Sequence, residues 1–131
     1  MRIDERRLAA LEAELARLKA QITSVGFISP GSVVRRFMPC GKPGCRCQGD
    51  PPQLHGPYWQ WSHKVGGKTV TRRLTEDQAR LYQQWIANRR RLGELLLRME
   101  EVSGRAAAIL LRNASTPSTR SKTKETTSRS R

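Results

Sequence analysis

From Leu8 the apolar positions fall at Leu8, Leu11, Leu15, Leu18, Ile22 and Val25, in alternating steps of three and four, with Glu12, Glu14, Arg17 and Lys19 between them. That spacing predicts an amphipathic helix with a coiled-coil seam within residues 1–27. Gly26 and the Ser29-Pro30-Gly31 cluster stop it, because proline lacks the N–H and glycine accepts the terminating left-handed turn. The same spacing returns as Leu81, Trp85, Asn88, Leu92, Leu95, Met99, Val102, Ala106 and Ile109. Thr75-Glu76-Asp77-Gln78 precedes it and reads as a capping box with Thr75 as N-cap, so a long helix is predicted over 75–112. Asn88, a polar residue on the seam, would fix register at some cost in stability.

Between the helices the period changes from helical to alternating. Tyr58 to Val65 and Lys68 to Leu74 are strand-like and are joined by Gly66-Gly67, a two-residue loop suited to a type I′ turn. Counting outward from that turn pairs Val65 with Lys68, His63 with Val70, Trp61 with Arg72 and Trp59 with Leu74. One face then carries Trp59, Trp61, His63, Val65, Val70, Leu74 and Arg72, and the other Tyr58, Gln60, Ser62, Lys64, Thr69, Thr71 and Arg73. Ser32 to Met38, with Val33, Val34 and Phe37, reads as a third strand. The tryptophans fit core packing against a loop and the helices, with base stacking as the alternative.

The fold class that follows is α+β: two long helices forming an antiparallel, coiled-coil-like hairpin that flanks a small head at 31–74. The long helix would outrun the short one, leaving Val102 to Leu111 frayed or paired with a second copy, so core packing and a homodimer both remain open. Residues 113–131 hold one alanine and no other hydrophobe, which predicts a disordered basic tail.

Charge divides the chain along the same boundaries. The 131 residues carry 25 Lys+Arg against 11 Asp+Glu, a formal net charge of +14. Residues 1–30 and 75–111 are nearly balanced, as solvated helices are. Residues 31–74 carry Arg35, Arg36, Lys42, Arg46, Lys64, Lys68, Arg72 and Arg73 against the single acid Asp50, and the tail is also basic. Unneutralised charge of that kind calls for a polyanion, and these eight residues are the candidate nucleic-acid contacts, with DNA favoured over RNA. No apolar run approaches the roughly 18 residues that span a bilayer, and the N-terminus mixes both charge signs without a signal-like apolar core. The expected location is the cytoplasm, with nucleoid association compatible.

The chemistry lies between Cys40 and His55, in a C-x4-C-x-C-x7-H pattern. Three thiols and an imidazole within a glycine- and proline-rich turn suit tetrahedral Zn²⁺. Cys45 and Cys47 stand too close to bridge comfortably, which argues against a disulfide framework. Four protein donors leave no open position for water, so the expected ion is structural. A head with few large apolar groups needs such a staple. Cys40, Cys45, Cys47 and His55 are the candidate ligands, with His63, an outside donor or metal-free thiols as alternatives. Asp50 is the only acid in the head and no Ser/His/Asp arrangement has a sensible frame, so an enzyme is not expected.

The runs GSVVRRF from Gly31, CGKPGCRC from Cys40, HGPYW from His55 and KTVTRRL from Lys68 resemble an uncharacterised family of small bacterial proteins that occur near transposase or mobile-element genes. The resemblance covers about residues 28 to 100. It implies a mobile-element context and no catalytic residues; a transposase or another protein is the candidate protein partner. The cysteine pattern is also similar to zinc modules of some transposases, although their further Cys or His pair is absent. The function expected is a zinc-stabilised nucleic-acid-binding accessory protein; the alternative is a helical interaction adaptor or oligomerising scaffold whose charge is incidental.

Overall fold

The computed structural model describes residues 2–114. Its elements run α1 (Arg2–Thr23), β1 (Ser32–Met38), a short 3-10 turn at Arg46–Gln48, β2 (His55–Val65), β3 (Lys68–Leu74) and α2 (Glu76–Asn113). They form an α+β fold of two helices and one three-stranded antiparallel sheet. Residues 115–131, most of the segment expected to be a disordered tail, lie outside the described residues. The described residues divide into two compact units, 2–20 with 97–114, and Gln21–Leu96.

In the first unit the seam residues of α1 and α2 supply the buried apolar groups: Leu18, Val102 and Ile109 are 1%, 4% and 6% exposed. Leu8, Leu11, Leu15, Met99 and Ala106 are half-buried beside them. Arg112 donates to both carboxylate oxygens of Asp4, at 3.2 and 3.3 Å. Asp4 and Glu5 lie in the first turn of α1 and Arg112 in the last turn of α2, where each complements the helix dipole.

In the second unit the strands lie in the order β1-β2-β3. The β2–β3 register is Trp59 with Leu74, Trp61 with Arg72, His63 with Val70 and Val65 with Lys68, as counting from the turn predicts. Gly66 and Gly67 take φ of 58° and 83°, the values a type I′ turn requires. β1 pairs with β2 through Val33 with Trp61, Arg35 with Trp59 and Arg36 with Tyr58, and an irregularity then brings Met38 opposite His55. α2 starts as a capping box: the Gln78 N–H donates to Thr75 Oγ1 at 3.1 Å, and Gln78 Oε1 accepts from the Thr75 N–H at 2.9 Å.

Two helix expectations are corrected. α1 ends at Thr23, short of residue 27, where Ser24 turns its hydroxyl back onto the Gln21 carbonyl and closes the last turn. Val25 therefore lies beyond the helix. Leu81 is 52% exposed, because Ala79 and Tyr82 take the inward positions of the first turns of α2. Asn88 is half-buried and acts locally: its amide donates to the Phe27 carbonyl at 2.8 Å and accepts from Gln84.

The segment from α1 to β1 is strapped down. The Ser29 N–H donates to the Trp85 carbonyl, and Trp61 Nε1 donates to the Pro30 carbonyl at 2.9 Å. Gly31 has φ +96°, and a Cβ there would collide with the Ser62 carbonyl oxygen, so only glycine lets the chain pass β2 this closely.

Candidate metal centre and basic sheet

The loop between β1 and β2 turns tightly because the Arg46 carbonyl accepts from both the Gly49 and Gln53 N–H groups. That turn brings Cys45 and Cys47 back under Cys40, while His55, the first residue of β2, enters from the strand end. The four donor atoms all lie within 4.8 Å of one another, and the group could hold a metal ion. An ion bound tetrahedrally by sulfur at about 2.3 Å sets neighbouring sulfurs about 3.8 Å apart. The Cys40 and Cys47 sulfurs stand 3.5 Å apart, and Cys45 Sγ lies 3.2 Å from His55 Nε2.

The surroundings act differently on the three sulfurs. The Cys40 N–H donates to Cys47 Sγ at 3.2 Å, and Gln48 Nε2 donates to the same sulfur at 3.7 Å and to the Cys40 carbonyl at 2.8 Å. Donors that point at a sulfur orient it, as outer partners of a metal ligand do. The Cys47 backbone N–H, then His55 and the other two thiols, hold the Cys45 thiol down at about 6 against the opposing effect of burial. Cys40 moves the other way: the Lys42 N–H lowers it, but the Cys47 thiol, burial and Cys45 together leave it raised. Cys47 is 3% exposed, the most enclosed of the four.

His63 is not part of this group. Its ring stacks on Trp61 with centroids 3.8 Å apart, and Trp61 stacks in turn on Tyr82 of α2 at 4.3 Å. Tyr82 meets Trp85 edge-on, and Trp85 meets Phe27. This ladder of rings joins sheet to helix and assigns Trp61 to packing, leaving His63 Nδ1 buried without a hydrogen-bond partner. Tyr82 escaped the sequence reading, although its i,i+3 spacing to Trp85 was a usable signal; Gln48, directly after Cys47, was another.

The eight candidate nucleic-acid contacts are all exposed, and the strand register sorts them. Arg35, Lys68 and Arg72 share the face of Trp59 and Trp61, with Arg35 over the Phe37 ring at 5.6 Å. Arg36, Lys64 and Arg73 share the opposite face with Tyr58 and Gln60. Lys42 and Arg46 sit in the cysteine loop. The side-chain contacts among described residues of that opposite face stay within the sheet region: the Arg73 guanidinium 4.1 Å over Tyr58, Ser62 with Thr71, and Gln60 with Met38. Among the described residues, ion pairs join Arg80 to Glu76 and Asp77, and Arg112 to Asp4. None involves a cation of the head.

No described helix is long and apolar enough to cross a membrane. No curated protein and no solved structure matched the chain. The model of the family described as domain of unknown function (DUF6788) matches residues 3–84, more than half of the chain and all four cluster residues, and the chain belongs to that family.

Proposed function

We propose that this DUF6788 member is a nucleic-acid-binding accessory protein, with DNA favoured over RNA, whose head is organised by a structural Zn²⁺ ion on Cys40, Cys45, Cys47 and His55. The observation that carries the reading is the unpaired charge of the head. Eight Lys and Arg side chains stand against Asp50 alone, and none makes an ion pair among the described residues. Charge left unneutralised on an ordered surface repels itself until a polyanion takes it up. Zinc suits the donor set, since soft thiolates with an imidazole select it. Bound there, the ion would supply a rigid crosslink and no chemistry, because four protein donors close its shell. The protein is accordingly read as a binder and not an enzyme.

The helices serve as an antiparallel stalk, a geometry favoured by the Asp4–Arg112 pairing, and the basic tail adds non-specific phosphate contacts. A cytoplasmic, mobile-element setting, with a transposase as the partner to test first, agrees with the resemblance of the head motifs. The second reading, a helical adaptor or self-associating scaffold, is favoured by one observation: Leu96, Leu97, Leu110 and Leu111 are 49–72% exposed on α2.

The test is the salt dependence of binding to a labelled oligonucleotide. Each neutralised phosphate contributes a slope of about 0.9 in log affinity against log salt on duplex DNA. Deleting 113–131 should flatten the slope and leave measurable binding. Neutralising Arg35, Arg36 and Arg73 together should weaken binding more than neutralising three tail cations. Equal losses would reduce the protein to a diffuse polycation and move the adaptor reading ahead.

A further inference from the structure

The face of the sheet that carries Tyr58 differs in kind from the face that carries Trp61. Trp61 is sandwiched between His63 and Tyr82, so its ring is already used for packing. Among the described residues Tyr58 has no aromatic partner, and the cation placed over its ring is Arg73, with the guanidinium 4.1 Å from the centroid. Arg36 lies directly across the strand from Tyr58, and Gln60 lies across from Arg73. Ser62, Thr71, Lys64 and Thr69 continue the same face toward the hairpin turn. No acidic residue occurs in any of the three strands.

From this juxtaposition we propose that the Tyr58 face is a stacking platform for single-stranded nucleic acid, a proposal that rests on the nucleic-acid reading above and names its ligand. A guanidinium set 4.1 Å over a tyrosine ring offers its own planar surface, on which an unpaired base can continue the stack. Arg36, directly across from Tyr58, lies where a phosphate beside the stacked base meets positive charge, and Lys64, about 20 Å further along β2, lies where a more distant phosphate of the same strand does. Gln60 offers one acceptor and two donors to a base edge, with no fixed preference among bases. A duplex cannot use the platform, because its base faces are covered by their neighbours and only phosphates reach a flat sheet. The chemistry therefore separates the two forms: a duplex meets the charge alone, and a single strand meets the charge together with the stack.

Fluorescence anisotropy of the full-length, metal-loaded protein with a labelled 15-nucleotide single strand, and with the duplex of the same sequence, tests the proposal. The single strand should bind more tightly than the duplex at equal salt. Tyr58→Leu should lower single-strand affinity roughly five- to hundred-fold, the effect of one lost base stack, and change duplex affinity less than about two-fold. Tyr58→Phe, which keeps the ring, should bind single strands like the wild type. Arg73→Gln, which removes the planar cation without touching the packed face, should weaken duplex binding by one phosphate contact and single-strand binding by clearly more, and covers the case in which Tyr58→Leu fails to fold. Equal or tighter binding of the duplex by the wild type, or equal losses on both forms in the variants, would overturn the platform while leaving the nucleic-acid reading standing. Absence of binding to either form would overturn both. Displacement of the single strand by poly-glutamate at equal charge concentration would show that the face takes any polyanion, and the platform would fall.

Discussion

Within residues 31–74 only Cys47 and Leu74 are buried, and Val34, Phe37, Leu54, Val65 and Val70 leave 42–54% of their surface in water. The helical unit of 2–20 and 97–114 inverts the balance: Leu18, Val102 and Ile109 are almost fully enclosed, and an arginine–aspartate pair joins its segments. The helical unit can follow the usual rule, in which burial of apolar area offsets chain entropy. The head cannot, because its enclosed apolar surface is too small for some forty ordered residues. What it has instead is a strand ladder, a ring stack to α2 and a Cys40–Cys45–Cys47–His55 cluster that could hold a metal ion. The comparison teaches where each region is vulnerable: the helical unit to lost methyl groups, the head to lost ligands.

That contrast can be broken most severely at the ligands. Cys47→Ser should abolish near-stoichiometric zinc, read by elemental analysis, and remove amide-exchange protection from residues 31–74, while the helical circular dichroism signal largely persists. The complementary change, Leu18→Ala, should cost about 3 kcal/mol of stability by opening a cavity, and should leave zinc content unchanged. If Leu18→Ala also released the metal, the two regions would not be separately held.

Acid sharpens the same contrast. The Cys45 thiol is held at about 6 in the fold against an ordinary value of 9.0. A depressed acid contributes stability that is complete above the unfolded value and is lost as pH falls through the folded one. In metal-free protein the stability that the Cys45 thiolate lends the head should therefore be lost as pH drops through about 6, and bound metal, which competes with protons for the same sulfur, should leave only at lower pH, with the helical signal retained. A chromophoric zinc indicator followed across the titration reads the metal release directly. The smallest effect belongs to the cap: Thr75→Ala should cost about 1 kcal/mol, seen as fraying of the first turn of α2 by exchange, with the metal retained.

Much of this was legible before the structure, for reasons that differ by element. The Gly66-Gly67 turn determines the β2–β3 register outright, since a two-residue loop leaves no freedom in pairing. The capping box and the spacing that gathers Cys40, Cys45, Cys47 and His55 into one cluster were equally local signals. What escaped was set by tertiary geometry. Leu81 continues the heptad on paper, yet Trp61 reaches α2 through Tyr82 and rotates the inward face of the first turns by one position. Gly31 gives a sequence signal only of a break, and its real role depends on the Ser62 carbonyl across the strand. The pairing of Arg73 with Tyr58 needed the register of two strands and a rotamer, which alternation alone does not supply.

The central claim is that the metal-held head presents the nucleic-acid surface. Its most direct test is oligonucleotide affinity of the tail-deleted protein, residues 1–112, loaded with zinc, stripped by a chelator with metal loss verified by elemental analysis, and reloaded. The account predicts that affinity falls at least tenfold on stripping and returns on reloading, because an unfolded head scatters Arg36, Lys64 and Arg73 and must be reordered to bind. Unchanged affinity in verified metal-free protein would contradict it.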